Sequence, residues 1–274
     1  MSGIRRLAVA LAAAVCCTAL VAPGASALVY PSSMAATGAS ATQAFDTCAE
    51  VGADCPQNSW ATGTNPAVDS IYLRIEALNP AIAGHAYDDA VSGSNMAKLA
   101  RQFEVAAEQA VEFVTVDMGS NDICAREEGA MTTVASFRAS FEAAFEALLS
   151  RRPGTRIGVM SIQNIYALWR LEHTSRAAIE TWNAHGVCQA MLANPTSTSR
   201  ADEERRARVW QRALELDGVL ASVCAAHANC RYDGGAVSEY VFEAADVNAR
   251  DHFHPSIAGQ ATLARVEWEV PWEF

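Results

Sequence analysis

The sequence predicts one α/β domain in which a parallel sheet carries helices on both faces. Three observations lead there. Short β-branched and apolar runs alternate with longer segments of helical period, the pattern of a sheet covered on both sides. The composition is ordinary for a globular chain, 51% hydrophobic and 19% charged over 274 residues, enough for one sizeable core. No internal repeat, low-complexity tract or second domain interrupts it, so residues 28–274 are expected to form a single domain.

Residues 1–27 are expected to stand outside that fold. Arg5 and Arg6 precede an apolar run over 7–21, and Ala25-Ser26-Ala27 offers a small-residue cleavage site, the pattern of a secretory signal peptide. A retained anchor is the competing reading, but the run is shorter than the ~20 residues a spanning helix needs. No later segment is apolar for long enough, so the processed chain is expected to be secreted, extracellular and without stable membrane insertion. Loss of the two arginines takes the formal charge from -11 to -13. Such acidity argues against nucleic acid and anionic membranes as partners.

Along the remainder, residues 28–37 read as a first strand that stops in a tight turn at Gly38, with Ser40 at its tip and a helix starting near Ala41. Residues 46–70 are rich in turn formers and read as an ordered excursion. A helix follows over 70–78, ended by Asn79-Pro80, then a short strand over 86–91, the turn Ser92-Gly93-Ser94 and a helix over 96–111. Residues 112–118 (EFVTVDM) make the strongest strand and run into Gly119-Ser120-Asn121-Asp122. Phe137, Phe141, Phe145 and Leu148 mark a helix over 134–150, closed by Arg151-Arg152-Pro153-Gly154. Residues 156–162 form a buried-type strand, helices are expected over 177–193 and 201–228, a last strand over 230–232, and a closing helix over 256–268.

Six cysteines follow residue 27: Cys48, Cys55, Cys124, Cys188, Cys224 and Cys230. An even number in an exported chain reads as disulfides. Short spacings favour Cys48–Cys55 and Cys224–Cys230, which leaves Cys124–Cys188. Zinc is the alternative, but no CxxC pair is present and the spacings are irregular.

The candidate chemistry lies where strands end, since ligands of parallel sheets bind beyond the carboxyl ends of the strands. Asp251 and His254 are three residues apart, about one turn, so a carboxylate can sit behind an imidazole and make it a general base. Taken singly the signals are weak: Ser40 could be a helix cap, Gly93 a plain turn, Asn121 part of a capping loop, and His252 with His254 two ligands of a metal that lacks an obvious third. Trp60, Trp169, Trp182 and Trp210 are not assigned to a site, because aromatics so placed usually fill core.

Their order is more specific. A Ser turn after the first strand, a Gly turn after the second, MGSNDIC (118–124) after the third and DHFHPSIAGQ (251–260) near the end resemble the SGNH hydrolases, the GDSL esterase/lipase family. The stretch at 34–48 (MAATGASATQAFDTC), with NSWATG (58–63), is similar to the exported bacterial branch. The resemblance covers nearly all of the chain after residue 27. It implies a flavodoxin-like three-layer α/β/α sandwich with a parallel sheet. It also implies a Ser40–His254–Asp251 triad, and an oxyanion hole from Ser40, Gly93 and Asn121. The implied activity is a serine esterase or lipase acting on carboxylic esters through an acyl-serine, with no metal and no cofactor. The implied partner is a small-molecule or lipid ester, or an acetylated carbohydrate, and a monomer is expected. One departure stands out: the family's Gly-Asp-Ser reads Gly38-Ala39-Ser40, so the carboxylate beside the nucleophile is missing. That leaves two alternatives open, a binding protein impaired in turnover and an acyltransferase.

Overall fold

The computed structural model describes residues 29–272; the signal-peptide reading of 1–27 falls outside them. Strand β1 (Met34–Gly38) is fully buried and is followed not by a helix but by successive turns. The expected helix near Ala41 fails because Ala44 and Asp46 take left-handed backbone, at φ 46° and 62°. Helix α1 (Ile71–Leu78) begins where the Ser70 hydroxyl accepts the Leu73 N–H and stops at Asn79-Pro80. Strand β2 (Ala86–Asp88) is shorter than expected, and α2 (Leu99–Gln109) is preceded by one 3-10 turn.

Strand β3 (Phe113–Asp117) leads into the four-residue α3 (Ser120–Ile123). Helix α4 (Val134–Leu149) is capped by Thr133 and buries Phe137, Phe141, Phe145 and Leu148 on one face. Strand β4 is Arg156–Val159. The sequence reading passes over α5 (Ile165–Glu172), which Asn164 caps. The single helix expected over 177–193 is two, α6 (Arg176–His185) and α7 (Gln189–Leu192), because Gly186 ends the first in left-handed backbone at φ 61°. Helix α8 (Arg200–Cys224), strand β5 (Cys230–Tyr232), the short α9 (Ala236–Glu239) and α10 (Ile257–Trp268) complete the order.

The five strands pair in parallel in the order β2-β1-β3-β4-β5, the doubly wound arrangement expected. Successive strand residues alternate between two cores. Ala35, Val114, Val116, Ile157 and Val159 pack under α2, α4 and α8, while Met34, Ala36 and Phe113 pack with Trp60, Ile71, Ile75 and Leu263 on the side of α1 and α10. The disulfides are Cys48–Cys55, Cys124–Cys188 and Cys224–Cys230. Among the described residues no helix is long and apolar enough to cross a membrane.

Candidate active site

The carboxyl edge of the sheet gathers the site. β1 delivers Ser40 on the turn after Gly38, where the Phe45 N–H closes back onto the Ser40 carbonyl at 3.0 Å. The Asp251–His254 loop arrives from the far end of the chain. Its stem is laced by the Val247–Pro255 bridge and by the Asn248 N–H donating to the His254 carbonyl at 2.8 Å. Asn248 and Arg250 also donate to the Asp46 carbonyl, at 2.9 and 3.2 Å, so the turns that displaced the expected helix near Ala41 hold this loop against β1's turn.

At the contact, the Ser40 Oγ lies 2.8 Å from His254 Nε2 and the Asp251 Oδ2 lies 2.6 Å from His254 Nδ1. The other Asp251 oxygen accepts the backbone N–H groups of Phe253 and His254 at 2.9 and 3.0 Å. Burial pushes the Asp251 carboxyl up. The imidazole's hydrogen bond and charge, with the two backbone donors, outweigh burial and hold it below the usual carboxylate range. An ionised Asp251 favours the tautomer with the proton on Nδ1, leaving Nε2 to accept the Ser40 hydroxyl. Phe45 and Phe253 flank the imidazole, with ring centroids 4.9 and 5.1 Å away.

Asn121 is the second residue of α3, which begins after Gly119, whose φ of 122° and contact with Ile162, within 2.4 Å of where a Cβ would stand, require glycine. The Asn121 Nδ2 donates to the Ser94 carbonyl at 2.9 Å, and the Asp122 carboxylate accepts the Met96 N–H at 2.9 Å. The loop after β3 therefore fastens the loop after β2. Gly93 has a φ of 80°, which glycine tolerates, but it is exposed and outside the cleft lining, where its neighbour Ser94 stands. Ser40, His254 and Asn121 all face one open cleft of about 890 Å³ out to its mouth. Its apolar lining comes from Ile165, Leu168 and Leu171 of α5, with Phe242, Val247 and Phe253.

The sequence reading missed the groups that hold the Ser40 turn and the helix that lines the cleft. Thr42 donates to Asp117 at 3.1 Å, and burial, against that hydrogen bond, raises the Asp117 carboxyl to about 6. The Gln102 amide meets Gly38 and the Gln260 amide meets the Ala41 carbonyl, at 2.8 to 2.9 Å. A visible signal existed for each: Gln102 interrupts the apolar stripe of α2, and Ile165, Leu168 and Leu171 recur near helical period. The four tryptophans left unassigned are absent from the cleft lining. Among the described residues no three His, Cys, Asp or Glu side chains gather as a metal site, and His252 Nδ1 faces Glu172 at 3.5 Å.

The family described as GDSL-like Lipase/Acylhydrolase matches residues 34–266. Among solved structures, phospholipase A1 from Streptomyces albidoflavus NA297 is similar at a TM-score of 0.52 and 15% identity, over 87% of this chain and 98% of that one. A family 3 carbohydrate esterase of Clostridium thermocellum is similar at 0.51 and 11% identity, over 87% and 94%. An acetylxylan esterase from Geobacillus stearothermophilus, as a catalytic mutant, is similar at 0.50 and 15% identity, over 88% and 96%. At such identities the likeness is one of fold. No curated protein matches the chain in sequence.

Proposed function

This chain belongs to the GDSL-like lipase/acylhydrolase family and is a carboxylic ester hydrolase, and we propose that Ser40, His254 and Asp251 carry its reaction. The observation behind this reading is the continuous hydrogen-bonded line from Ser40 Oγ through the imidazole to Asp251, at 2.8 and 2.6 Å. A serine hydroxyl is a poor nucleophile at neutral pH unless a base removes its proton as it attacks. His254 Nε2 takes that proton, Oγ bonds to the ester carbonyl carbon, and Asp251 stabilises the imidazolium. His254 then passes the proton to the departing alcohol, leaving an acyl-serine. Water attacks it by the same path, releasing the acid and restoring Ser40.

The tetrahedral intermediate carries negative charge on the former carbonyl oxygen. The Ser40 N–H and the second N–H of the Asn121 amide, both on the cleft, are the proposed donors, with the Gly93 N–H beside the cleft-lining Ser94 as a third, each worth about 3 kcal/mol in the transition state. The apolar wall along α5 supports a hydrocarbon acyl chain in preference to an acetyl group on a sugar. The phospholipase relative makes a lipid ester a natural candidate. The signal-peptide pattern at 1–27 and the three disulfides support action outside the cell.

Hydrolysis of p-nitrophenyl esters from acetate to palmitate, with Ser40→Ala as control, tests this reading. Turnover by wild type alone, rising from acetate toward longer chains, is expected. Equal rates from both proteins would remove Ser40 from the reaction, and a maximum at acetate would remove the lipid-like substrate.

A further inference from the structure

We propose that Gln102 is a positioning residue that sets the geometry of the nucleophile turn, acting from α2 without touching the substrate. The inference rests on the reading of Ser40 as nucleophile. Gly38 ends β1 two residues before Ser40, and on one side β3 stays in register with it through the Gly38–Asp117 pair. On the other side, β2 has already parted from β1: their pairing ends at Ala36 and Asp88, and Val91 returns one N–H to the Gly38 carbonyl at 3.2 Å. The Gly38 N–H would be left buried without a strand partner, a costly state.

The side-chain amide of Gln102 takes the strand's place. Its Oε1 accepts the Gly38 N–H at 2.8 Å, and its Nε2 donates to the Gly38 carbonyl at 2.9 Å. The same Nε2 reaches the Ser94 hydroxyl at 3.3 Å. Gln102 is 4% exposed, so these bonds are made out of water, where a missing partner matters most. One amide thus ties the nucleophile strand to the loop that carries Gly93, whose Ser94 carbonyl is in turn held by Asn121. Two of the proposed oxyanion donors, the Ser40 and Gly93 N–H groups, are each within two residues of this tie.

Gly38 itself has no slack. A Cβ there would lie 2.3 Å from Thr42 Oγ1 and 2.8 Å from the Asp117 carbonyl. Ala39, between the tie and the nucleophile, contributes a methyl group with nothing to bond. The position of Ser40 therefore depends on groups outside its own turn, and Gln102 bonds both the Gly38 backbone and the Ser94 hydroxyl from α2.

The test uses Gln102→Leu, which removes both amide bonds at similar size. A second variant, Gln102→Glu, keeps an acceptor for Gly38 but loses the donor. Active sites are titrated with a fluorophosphonate, and kcat per titrated site, KM for p-nitrophenyl butyrate and Tm are measured beside wild type and Ser40→Ala. For Gln102→Leu, kcat per site is expected to fall about 100-fold, the scale of a small misplacement at the reacting atoms, with KM within about twofold. Gln102→Glu, whose carboxyl keeps an acceptor for the Gly38 N–H, is expected to lose about tenfold in kcat per titrated site, a ratio that counts folded protein only. A merely structural role lowers Tm and the number of titratable sites but leaves kcat per site at the wild-type value, and that result overturns the proposal. Wild type no faster than Ser40→Ala overturns the nucleophile reading, and the role of Gln102 with it.

Discussion

The Ser40 turn and the helix α5 line the same cleft, yet they are held in opposite ways. Around the turn, Gly38, Ala41, Thr42 and Gln43 are fixed by directed polar bonds to Gln102, Gln260, Asp117 and the Ala90 carbonyl, from four different parts of the fold. Helix α5 is held at its start by the Asn164 cap, then by the Trp169 Nε1 bond to Pro195 and by Arg206 lying 4.1 Å over the Trp169 ring. Its cleft face makes no such bonds, and Leu171 is 39% exposed. The difference fits the role proposed for each. Attack on a carbonyl depends on tenths of an ångström, which hydrogen bonds can specify. Sheltering an acyl chain depends on apolar area, which is not directional.

Substitutions should separate the two regions by what they change. Ser40→Ala or His254→Ala should cost about a million-fold in kcat with little change in Tm, measured with p-nitrophenyl butyrate. Asn121→Ala should cost 10² to 10³-fold, roughly one oxyanion donor, and a loss under tenfold would show that Asn121 does not face the reacting oxygen. On the cleft wall, Leu168→Ala should lower kcat/KM for octanoate by about tenfold and leave acetate nearly unchanged. A uniform loss for both esters would mean that the wall, too, positions the reacting atoms.

The smallest expected effect concerns stability. Burial raises the carboxyls of Asp117 to about 6 and Asp217 to about 7, and burial with the nearby charges of Asp233 and Asp117 raises Glu267 well above its ordinary value. Unfolded carboxyls titrate near pH ~4. Between about pH 4 and 7 the native protein therefore holds more protons than the unfolded chain, and stability falls as pH rises through that window. Asp251 has the opposite sign, since its carboxyl is held low, but its contribution is lost only as pH falls below about 4. Tm should be higher at pH 5 than at pH 8, and Glu267→Gln should flatten the slope. A Tm that climbs with pH would contradict this.

The contrast also explains what the sequence made legible. Where an arrangement sits in one short stretch, it is legible there: the Asp251–His254 contact three residues apart, or EFVTVDM as a strand running into Gly119-Ser120-Asn121-Asp122. The helices expected from 70 and from 134 begin within a residue of α1 and α4, whose first turns Ser70 and Thr133 cap. The helix expected at Ala41 failed for a reason that no local window contains. The Asp46 carbonyl is bonded by Asn248 and Arg250, about two hundred positions away, and the backbone follows that demand. Gln102 was hidden for a related reason: its partners are backbone atoms of Gly38, separated by 64 residues, and one polar side chain on an apolar stripe does not say what it bonds. Helix α5 differs in this respect, since its periodicity at Ile165, Leu168 and Leu171 is present in the residues themselves.

The proposed mechanism stands or falls with Ser40 as the nucleophile, activated by His254 and Asp251. It is tested most directly by reacting the protein with a fluorophosphonate and locating the adduct by peptide mass spectrometry. One adduct per chain on Ser40, formed at a rate that collapses in His254→Ala, is the predicted result. An adduct on another serine, or labelling of Ser40 at an undiminished rate without His254, would contradict it.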